Sequence, residues 1–313
     1  MNQEQKETIR NLLASIMKFD EPMRDHTTFG IGGLASCLVY PDNREELSEL
    51  LQYANRENIP VFFIGSGSNV LVWDKGFDGF VISLRKTFKK LIITANCQII
   101  AESGVMLGTL VKEAIRSNIS GLESLIGVPG TLGGAVIMNA GAFGSEISKY
   151  FEQSQTMTLD GLINIYTKND VDFSYRNSTF PTDEILIEAT FNCYKGLPKQ
   201  IQKDRKTASQ RRKSNQPLKF RSAGSIFKNP SDKLAAGYLI DKAGLKGAQR
   251  GGACISKKHA NFIINLGNAT AEDVFYLICL SKQKVAEKFD VNLDLEVKLV
   301  GFPESMLNEI YYV

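Results

Sequence analysis

The chain reads Gly127-Val128-Pro129-Gly130-Thr131-Leu132-Gly133-Gly134-Ala135 at its most glycine-rich point, and Asn139-Ala140-Gly141-Ala142 follows closely. Glycine adopts a positive φ readily and lets a ligand approach main-chain N–H groups with no side chain in between. Several glycines in one loop form a cradle for phosphate oxygens. The stretch therefore predicts a phosphate-binding loop, with a tight turn in a loop-rich fold as the alternative interpretation.

Another glycine-rich loop, Gly65-Ser66-Gly67-Ser68-Asn69, lies earlier in the chain. Numbered in chain order, it is the first glycine loop and the stretch at 127–135 is the second. It follows the apolar run at 60–64 and leads into Val70-Leu71-Val72-Trp73, which is typical of another strand. A Rossmann phosphate loop joins a strand to a helix, so this strand-to-strand loop fits that fold poorly. Two glycine loops in one chain favour a pyrophosphate that bridges two nucleotide halves, as in a dinucleotide.

The composition excludes several classes of partner. The 313 residues carry a net charge of +3, which is too small and too evenly spread to indicate a nucleic-acid partner. The basic residues at 203–213 are interpreted as a solvated helix face. Five cysteines without a CxxC pair predict reduced thiols in a cytoplasmic protein. The polar N-terminus lacks signal-peptide features and no long apolar run occurs, so we expect no membrane partner. As a separate expectation, not drawn from these features, the protein is a monomer or weak oligomer.

Periodicity along the chain predicts a mixture of helices and strands. Apolar residues at helical spacing predict an N-terminal helix over 5–19, and Asp42 is placed to cap the next helix. Asp160-Gly161 is typical of a hairpin turn between two strands. Thr270 is expected to open a long amphipathic helix.

Few residues offer catalytic chemistry of their own. His26 and His259 are the two histidines of the chain, so a His-based triad or a histidine metal cluster is not expected. No carboxylate cluster has metal-ligand spacing. The chemistry is therefore expected to depend on a cofactor held by the glycine loops.

Three short segments contain candidate site residues. In Tyr175-Arg176 the arginine can bind a carboxylate or phosphate, although a surface arginine beside a packed tyrosine would give the same pattern. Small residues around Ser225 leave its hydroxyl accessible, with Lys228 nearby, and the alternative is a polar loop or helix cap. Glu296 shares one face of an alternating strand predicted at 293–300 with other charged residues, as on a solvated strand face.

Six segments occur together and in a fixed order. They are Thr28-Phe29-Gly30-Ile31-Gly32-Gly33, Gly65-Ser66-Gly67-Ser68-Asn69-Val70-Leu71, Gly127-Val128-Pro129-Gly130-Thr131-Leu132-Gly133-Gly134-Ala135, Tyr175-Arg176, Ala223-Gly224-Ser225-Ile226-Phe227-Lys228-Asn229-Pro230 and Leu295-Glu296-Val297. One loop alone would be weak evidence, but the ordered set is specific and extends over nearly the whole chain. In this order the chain resembles the UDP-N-acetylenolpyruvoylglucosamine reductase family.

The resemblance implies an α+β fold with an FAD-binding domain of the vanillyl-alcohol-oxidase (PCMH) type and a C-terminal α/β substrate-binding domain. We accordingly predict an FAD-binding region of two subdomains at 1–194 and a substrate-binding domain at 195–313, whose last strand could return to the FAD domain. The compact stretch between Asn229 and Gly251 resembles the shorter branch of the family, which lacks a tyrosine-bearing substrate loop. Arg221 stands where the family pattern has proline, which affects the expected geometry of the loop before Ser225.

The resemblance also implies an activity. It is the reduction of UDP-N-acetylglucosamine enolpyruvate to UDP-N-acetylmuramate in peptidoglycan synthesis, with FAD as cofactor and NADPH as co-substrate. Arg176 and Glu296 match the family residues that stabilise the enolate formed once hydride has reached C3, which needs a fixed cation and a hydrogen-bonding partner. Ser225 matches the general acid that protonates C2. Further candidates for contacts to the UDP-sugar are Tyr175, Lys228 and Asn229.

The predicted FAD contacts lie in or beside the glycine loops. They are Gly65, Ser66, Gly67, Ser68, Asn69, Gly127, Pro129, Gly130, Thr131, Gly133, Gly134, Ala135, Asn139 and Gly141. Enzymes that bind flavin covalently often attach it through His or Cys, and neither residue occurs in these loops. We therefore expect FAD to be bound non-covalently.

Two other functions are also considered. A flavin oxidase of the same wider fold would use oxygen in place of NADPH. A non-catalytic nucleotide-binding module would explain the glycines, but it would not explain why Tyr175-Arg176, Ser225 and Glu296 occur together. A yellow protein that NADPH bleaches in the absence of air would separate these possibilities.

Overall fold

The fold is described from a computed structural model, which covers residue 1 and residues 3–312. These residues form two compact units. The first consists of Met1–Phe19, Ser36–Ser66 and Gly79–Arg212, and the second of Asp20–Ala35, Gly67–Asp78 and the chain from Lys213 onward. The last change of unit therefore follows Arg212, later than the predicted boundary at 194/195, and two earlier segments belong to the second unit. That the second unit binds the substrate stays a prediction.

Within the described residues the helices are α1 (Gln3–Leu12), α2 (Arg44–Arg56), α3 (Leu107–Arg116), α4 (Leu132–Ile137), α5 (Pro198–Asn215), α6 (Ala236–Lys242), α7 (Ala271–Phe289) and α8 (Glu304–Tyr312). Helix α5 contains the basic residues at 203–213, which are therefore helical as predicted. Among the residues that the structure covers, no helix has the length and apolar character needed to cross a bilayer.

The strands of the N-terminal half are β1 (Ile16–Pro22), β2 (Leu34–Tyr40), β3 (Val61–Phe63), β4 (Val70–Val72), β5 (Phe77–Ile82), β6 (Leu91–Ile93), β7 (Gln98–Glu102), β8 (Ile119–Ser120), β9 (Gly141–Ala142) and β10 (Ser145–Glu146). The later strands are β11 (Phe151–Met157), β12 (Ile163–Thr167), β13 (Phe173–Ser174), β14 (Asn177–Ser178), β15 (Ile185–Asn192), β16 (Tyr194–Lys195), β17 (Gln249–Arg250), β18 (Ala253–Ile255), β19 (Ile263–Asn265) and β20 (Lys298–Val300). The first glycine loop joins β3 to β4, as the sequence predicts.

The first unit contains a five-stranded antiparallel sheet in the order β12-β11-β15-β7-β6. Strands β11 and β12 form the predicted hairpin around Asp160-Gly161, with Met157 opposite Ile163. A second sheet, in the order β1-β2-β5-β3, lies mostly in this unit. Helices α3 and α4 and the five-stranded sheet share one hydrophobic core, and α2 packs in another. The second glycine loop leads directly into α4, so the first of these cores supports it.

The second unit contains the antiparallel sheet β17-β18-β19 and the parallel pair β4 and β20. Its core includes Leu71, Phe227, Val297 and the buried face of α7. Phe227 and Val297 are each only 2% exposed. Because they flank Ser225 and Glu296 in sequence, the backbone of both candidate catalytic segments is fixed by this core.

The N-terminal helix is shorter than predicted. Helix α1 ends at Leu12, and Ile16 begins strand β1, whereas the periodicity predicts one helix through residue 19. The carboxylate of Glu46 accepts hydrogen bonds from the Ala14 N–H (3.2 Å) and from the Ser15 hydroxyl. A distant residue thus binds the backbone where the helix stops, and local periodicity contains no signal for such a contact.

The two predicted helix caps have different outcomes. Thr270 caps α7 as predicted, since its hydroxyl accepts the Asp273 N–H and Asp273 binds the Thr270 N–H in return. The prediction of Asp42 as the cap of α2 is wrong. The cap is Asn43, whose Oδ1 accepts the Glu46 N–H at 2.9 Å. Neighbouring Asx residues offer the same capping chemistry, so sequence alone chooses poorly between them.

The strand predicted at 293–300 is regular only at Lys298–Val300, where β20 pairs with β4. Upstream, Leu295 forms an isolated antiparallel bridge with Phe227. The predicted alternation still describes burial, since Leu293 and Val297 are buried and Asp294 is exposed. The segment therefore alternates like a strand while its backbone pairs with two different partners.

Candidate active site

The two glycine loops meet in the first unit. A Cβ atom built on Gly65 would lie 2.4 Å from the Thr131 hydroxyl oxygen. This distance is far inside van der Waals contact, so any side chain at position 65 would displace Thr131. The structure thus brings together the start of the first loop and the middle of the second, and it explains why glycine is needed at position 65.

The second glycine loop is fixed by main-chain hydrogen bonds to the connection between β7 and α3. The Leu107 N–H donates to the Gly130 carbonyl (3.0 Å), the Leu132 N–H to the Val105 carbonyl (2.8 Å) and the Gly133 N–H to the Ser103 carbonyl (2.9 Å). At Gly134, by contrast, a built Cβ would find no atom within 4 Å. The loop is therefore rigid where it meets the sheet and borders open space at Gly134.

The Ser66 hydroxyl provides a test of whether this region fits a phosphate-bearing cofactor. Its oxygen is buried and has no hydrogen-bond partner in the structure. Leaving a buried hydroxyl unsatisfied costs about 1–3 kcal/mol, and a bound phosphate oxygen would supply the missing partner. Ser66, the close approach at Gly65 and the open space at Gly134 all fit the predicted FAD cradle. The predicted contacts themselves stay predictions.

Two of the predicted FAD contacts use their side-chain amides within the protein. The Asn139 amide donates to the Ser174 carbonyl (2.9 Å) and to the Glu146 carboxylate (3.1 Å). In the second unit, the Asn69 amide donates to the Glu296 carbonyl at 2.9 Å. These contacts give both asparagines a structural role, and Asn69 ties the first glycine loop to a candidate catalytic residue.

The other predicted FAD contacts divide between the two units. Gly67 and Ser68 belong to the second, where the Thr28 N–H donates to the Gly67 carbonyl at 2.9 Å. Gly127, Pro129, Ala135 and Gly141 belong to the first. The carbonyls of Gly127 and Gly141 both accept hydrogen bonds from arginine side chains. Those arginines are Arg212 and Arg176, which therefore lie against the second glycine loop and the segment after it.

Arg176 occupies a two-residue turn between β13 and β14, after Tyr175. Its φ is +55°, a conformation that is uncommon for a residue with a long side chain. Its guanidinium donates to the Gly141 carbonyl at 3.0 Å and lies 5.0 Å from the centre of the Tyr175 ring. The turn thus holds a cation beside the end of the second glycine loop, while Tyr175 is 42% exposed.

Arg212 is a residue that the sequence reasoning misassigned, because it was grouped with the solvated basic face of α5. Its guanidinium donates to the Gly127 carbonyl at 2.9 Å, and its Nε is buried without a partner. Burial, followed by the nearby charge of Arg176, lowers the pKa of Arg212. Two guanidinium groups in such proximity favour a negatively charged ligand. Spacing along the helix could not show this, because Gly127 is 85 positions away.

The second unit brings together the segments that contain Ser225 and Glu296. The Glu296 N–H donates to the Ile226 carbonyl at 2.8 Å, and Phe227 forms its antiparallel bridge with Leu295. Both candidate side chains are half-buried. Two residues that are 71 positions apart in sequence therefore lie on paired stretches of backbone, as a shared role in proton transfer requires.

The two remaining candidates flank this pairing. The Lys228 N–H donates to the Asp294 carbonyl at 2.8 Å, which extends the pairing by one step. The Asn229 side-chain oxygen accepts the Ala236 N–H at 3.1 Å, at the start of α6. Asn229 therefore has a helix-capping role in the structure, and a contact from either residue to a UDP-sugar stays a prediction.

Comparison with known proteins places this geometry in a family. The model of the UDP-N-acetylenolpyruvoylglucosamine reductase C-terminal domain matches residues 216–300, and the FAD binding domain model matches residues 35–165. These matches confirm the predicted α+β fold with its FAD-binding domain. Ser225 and Glu296 lie inside the first match, and both glycine loops lie inside the second.

Similar proteins match over almost their full length. The UDP-N-acetylenolpyruvoylglucosamine reductase of Carboxydothermus hydrogenoformans is 41% identical, with 95% of this chain and 98% of the relative covered. The enzyme of Caldicellulosiruptor saccharolyticus is 44% identical, with 93% of this chain and 94% of the relative covered. The crystal structure of the Thermus caldophilus enzyme matches with a TM-score of 0.78 at 34% identity, covering 92% of this chain and 99% of that one. The chain belongs to the UDP-N-acetylenolpyruvoylglucosamine reductase family.

Proposed function

We propose that this protein reduces UDP-N-acetylglucosamine enolpyruvate to UDP-N-acetylmuramate at the expense of NADPH, as a step of peptidoglycan synthesis. The observation that carries the proposal is the hydrogen bond from the Glu296 N–H to the Ile226 carbonyl. It pairs the backbone next to the proposed proton donor, Ser225, with the backbone of the proposed carboxylate partner, Glu296, in a chain that has an FAD-binding domain.

FAD, when bound, supplies a two-electron carrier between NADPH and the enolpyruvyl double bond. Residues of the first unit would hold it: Ser66 through its unsatisfied hydroxyl, and the backbone near Gly65 and Gly134, where no side chain intervenes. The loop positions are fixed by the hydrogen bonds to the β7–α3 connection. A preformed cradle of this kind reduces the ordering cost of binding a long, flexible dinucleotide.

Reduction of the enolpyruvyl double bond places a hydride at C3 and a proton at C2. Negative charge develops on C2 and the carboxylate between these events, and Arg176 supplies a positive charge to stabilise it. Glu296 provides a hydrogen-bonding group for the same species. Ser225 donates the proton to C2, because a hydroxyl is protonated at neutral pH and regains its proton from water.

The test follows the flavin absorbance of the purified protein without air. Addition of NADPH should bleach the flavin, and the enolpyruvyl sugar nucleotide should then restore its colour. UDP-N-acetylglucosamine, which lacks the enol ether, is the control and should leave the flavin bleached. Recovery of colour with oxygen but not with the enolpyruvyl nucleotide would instead indicate a flavin oxidase. Failure of NADPH to bleach a bound flavin would contradict the proposal in full.

The compartment and oligomeric state belong to the same proposal. The protein acts in the cytoplasm as a monomer or weak oligomer and has no nucleic-acid partner. All five cysteines are free in the structure, which supports a reducing compartment. Sedimentation at several protein concentrations tests the oligomeric state, and a stable oligomer at low concentration would overturn that part.

A further inference from the structure

Asn261 makes a concentrated set of contacts with the Ser225 segment. It lies just before β19 and is 3% exposed. Its side-chain oxygen accepts the Phe227 N–H at 2.9 Å, and its amide nitrogen donates to the Phe227 carbonyl at 2.8 Å. Its own carbonyl accepts the Ile226 N–H at 2.9 Å. One buried residue therefore binds three of the main-chain polar groups of Ile226 and Phe227.

The fourth group of this pair, the Ile226 carbonyl, accepts the N–H groups of Glu296 (2.8 Å) and Val297 (3.3 Å). The backbone that follows Ser225 is thus held between Asn261 and the Glu296 segment. On the other side of Ser225 lies Gly224, with a φ of +83° and no atom within 4 Å of a built Cβ. The Gly224 N–H donates to the Ser222 hydroxyl at the long distance of 3.5 Å, and glycine has no side chain that could pack against a neighbour. The shorter hydrogen bonds, at 2.8–2.9 Å, lie on the side that follows Ser225, so that side contributes most to its position.

From this geometry we infer that Asn261 is a positioning residue for proton donation by Ser225. The inference rests on the proposed function. The Asn261 side chain bonds both the N–H and the carbonyl of Phe227, as a neighbouring strand would, on the side away from Leu295. It thereby holds the backbone that carries Ser225 relative to the paired Glu296 segment. A displacement of about 1 Å at a reacting group can cost on the order of 10²-fold in rate, so a residue that never touches substrate can control this step.

The matched control is Asn265, a buried asparagine four positions further along. Its amide nitrogen donates to the Phe29 carbonyl at 3.0 Å, and its oxygen accepts the N–H groups of Gly267 (2.8 Å) and Ala269 (3.1 Å). Asn265 therefore has the same side-chain chemistry and similar burial. Its side chain makes three hydrogen bonds to the backbone, against two for Asn261, but none of its partner residues borders Ser225. An effect that arises only from losing a buried amide should be as large at Asn265.

The experiment compares Asn261→Asp with Asn265→Asp in FAD-loaded protein. Each substitution keeps an oxygen acceptor and removes the donor. Flavin reduction by NADPH and flavin reoxidation by the enolpyruvyl sugar nucleotide are measured separately without air. For Asn261→Asp we expect reoxidation to slow by about 10²-fold while flavin reduction changes less than about twofold. For Asn265→Asp both rates should stay near those of the wild type, even if thermal unfolding shows that stability has fallen.

The double variant Ser225→Ala/Asn261→Asp tests whether the two residues act through one step. If Asn261 acts by placing Ser225, the second substitution should add little to the effect of Ser225→Ala alone, because residues that act as a unit are non-additive. Three outcomes would each overturn the inference. They are a double variant whose rate loss is the product of the two single losses, equal slowing of both half-reactions in Asn261→Asp, and equal rate losses in Asn261→Asp and Asn265→Asp. Should Asn261→Asp not fold, Asn261→Gln, with the same groups on a longer side chain, is judged by the same criteria.

The wild-type protein distinguishes the two proposals. If it is not reoxidised by the enolpyruvyl nucleotide, the proposed function fails. If it is reoxidised, and Asn261→Asp behaves as wild type, only the role of Asn261 fails.

Discussion

In the first unit, two polar atoms beside the second glycine loop, Ser66 Oγ and Arg212 Nε, are buried without a hydrogen-bond partner. In the second unit, the four main-chain polar groups of Ile226 and Phe227, just after Ser225, are all bonded, to Asn261 and to the Glu296 segment. Unsatisfied buried groups are costly, so they are expected where a ligand completes the site. Fully paired groups are expected where a catalytic side chain must stay in place. The difference indicates a ligand cradle in one unit and a fixed catalytic segment in the other.

The comparison is tested most strongly at Ser225, where the second unit should contribute the proton donor. Ser225→Ala should leave flavin reduction by NADPH nearly normal, because no substrate carbon is protonated in that half-reaction. Reoxidation by the enolpyruvyl nucleotide should slow by roughly 10²–10⁴-fold, the usual contribution of a general acid. Ser225→Cys should retain part of the activity, since a thiol also donates a proton.

Ser231→Ala, at an exposed position six residues further along the same segment, is the control for Ser225→Ala and should reoxidise normally. A wild-type rate of reoxidation in Ser225→Ala would reduce the serine to a loop residue. Proton donation would then pass to Lys228 or to water.

The cradle in the first unit is tested by Gly65→Val, which should weaken flavin binding. The new side chain would occupy space within 2.4 Å of the Thr131 hydroxyl and force the two glycine loops apart. Overpacking of this kind typically costs about 1–3 kcal/mol, or roughly a five- to 150-fold loss of affinity. Flavin content after purification and titration of the apoprotein with FAD both report it.

Gly108→Ala is the control for the cradle, since a Cβ at Gly108 in α3 meets no atom within 4 Å. It should bind flavin normally. Retention of full flavin affinity by Gly65→Val would mean that the contact of the loops with Thr131 has no part in the cradle.

The charge of Arg212 sharpens the distinction between the units, because this half-buried guanidinium of the first unit has a buried Nε without a hydrogen-bond partner. Arg212→Met should raise the half-saturating concentration of one anionic reactant, NADPH or the enolpyruvyl nucleotide, by about tenfold or more. A charged hydrogen bond is typically worth about 1.5–3 kcal/mol, which corresponds to at least that factor. Steady-state kinetics with each reactant varied in turn identifies which one is affected. Arg211→Met, at an exposed position of the same helix, should change neither half-saturating concentration. Equal effects of Arg211→Met and Arg212→Met would mean that Arg212 acts only as part of the solvated basic face.

The smallest expected effect is a loss of folding stability at the start of α7 in the second unit. The Asp74 carboxylate accepts the N–H groups of Ala271 (2.8 Å) and Glu272 (3.0 Å) at the start of α7. Asp74→Ala should lower the free energy of unfolding by about 1 kcal/mol, the usual value of an N-terminal cap and its interaction with the helix dipole. Thermal unfolding measures it, with Asp232→Ala at an exposed position as the control. Weaker flavin binding in Asp74→Ala would show that the cradle and α7 are not independent.

The sequence alone predicted the local features well, since their causes lie within a few residues. The hairpin at Asp160-Gly161, the capping box of Thr270 and the strand-to-strand glycine loop all depend on neighbouring side chains and backbone preferences. The ordered motifs predicted the family, which the comparisons confirm. The two failures differ in origin. The Asp42 cap was displaced by its neighbour Asn43, whereas α1 ends early where Glu46, 32 positions away, binds the Ala14 N–H.

Tertiary structure decided which of the recognised residues share an environment. The Asn69 amide reaches the Glu296 carbonyl across 227 positions, Arg212 reaches Gly127 across 85, and Asn261 reaches Phe227 across 34. The division into units that each combine separate stretches of chain has the same origin. Periodicity and motif spacing describe only what neighbours along the chain impose on one another. Burial of apolar side chains in a common core, by contrast, brings distant segments together. The polar groups buried with them must then form hydrogen bonds within the protein, or stay unsatisfied until a ligand binds.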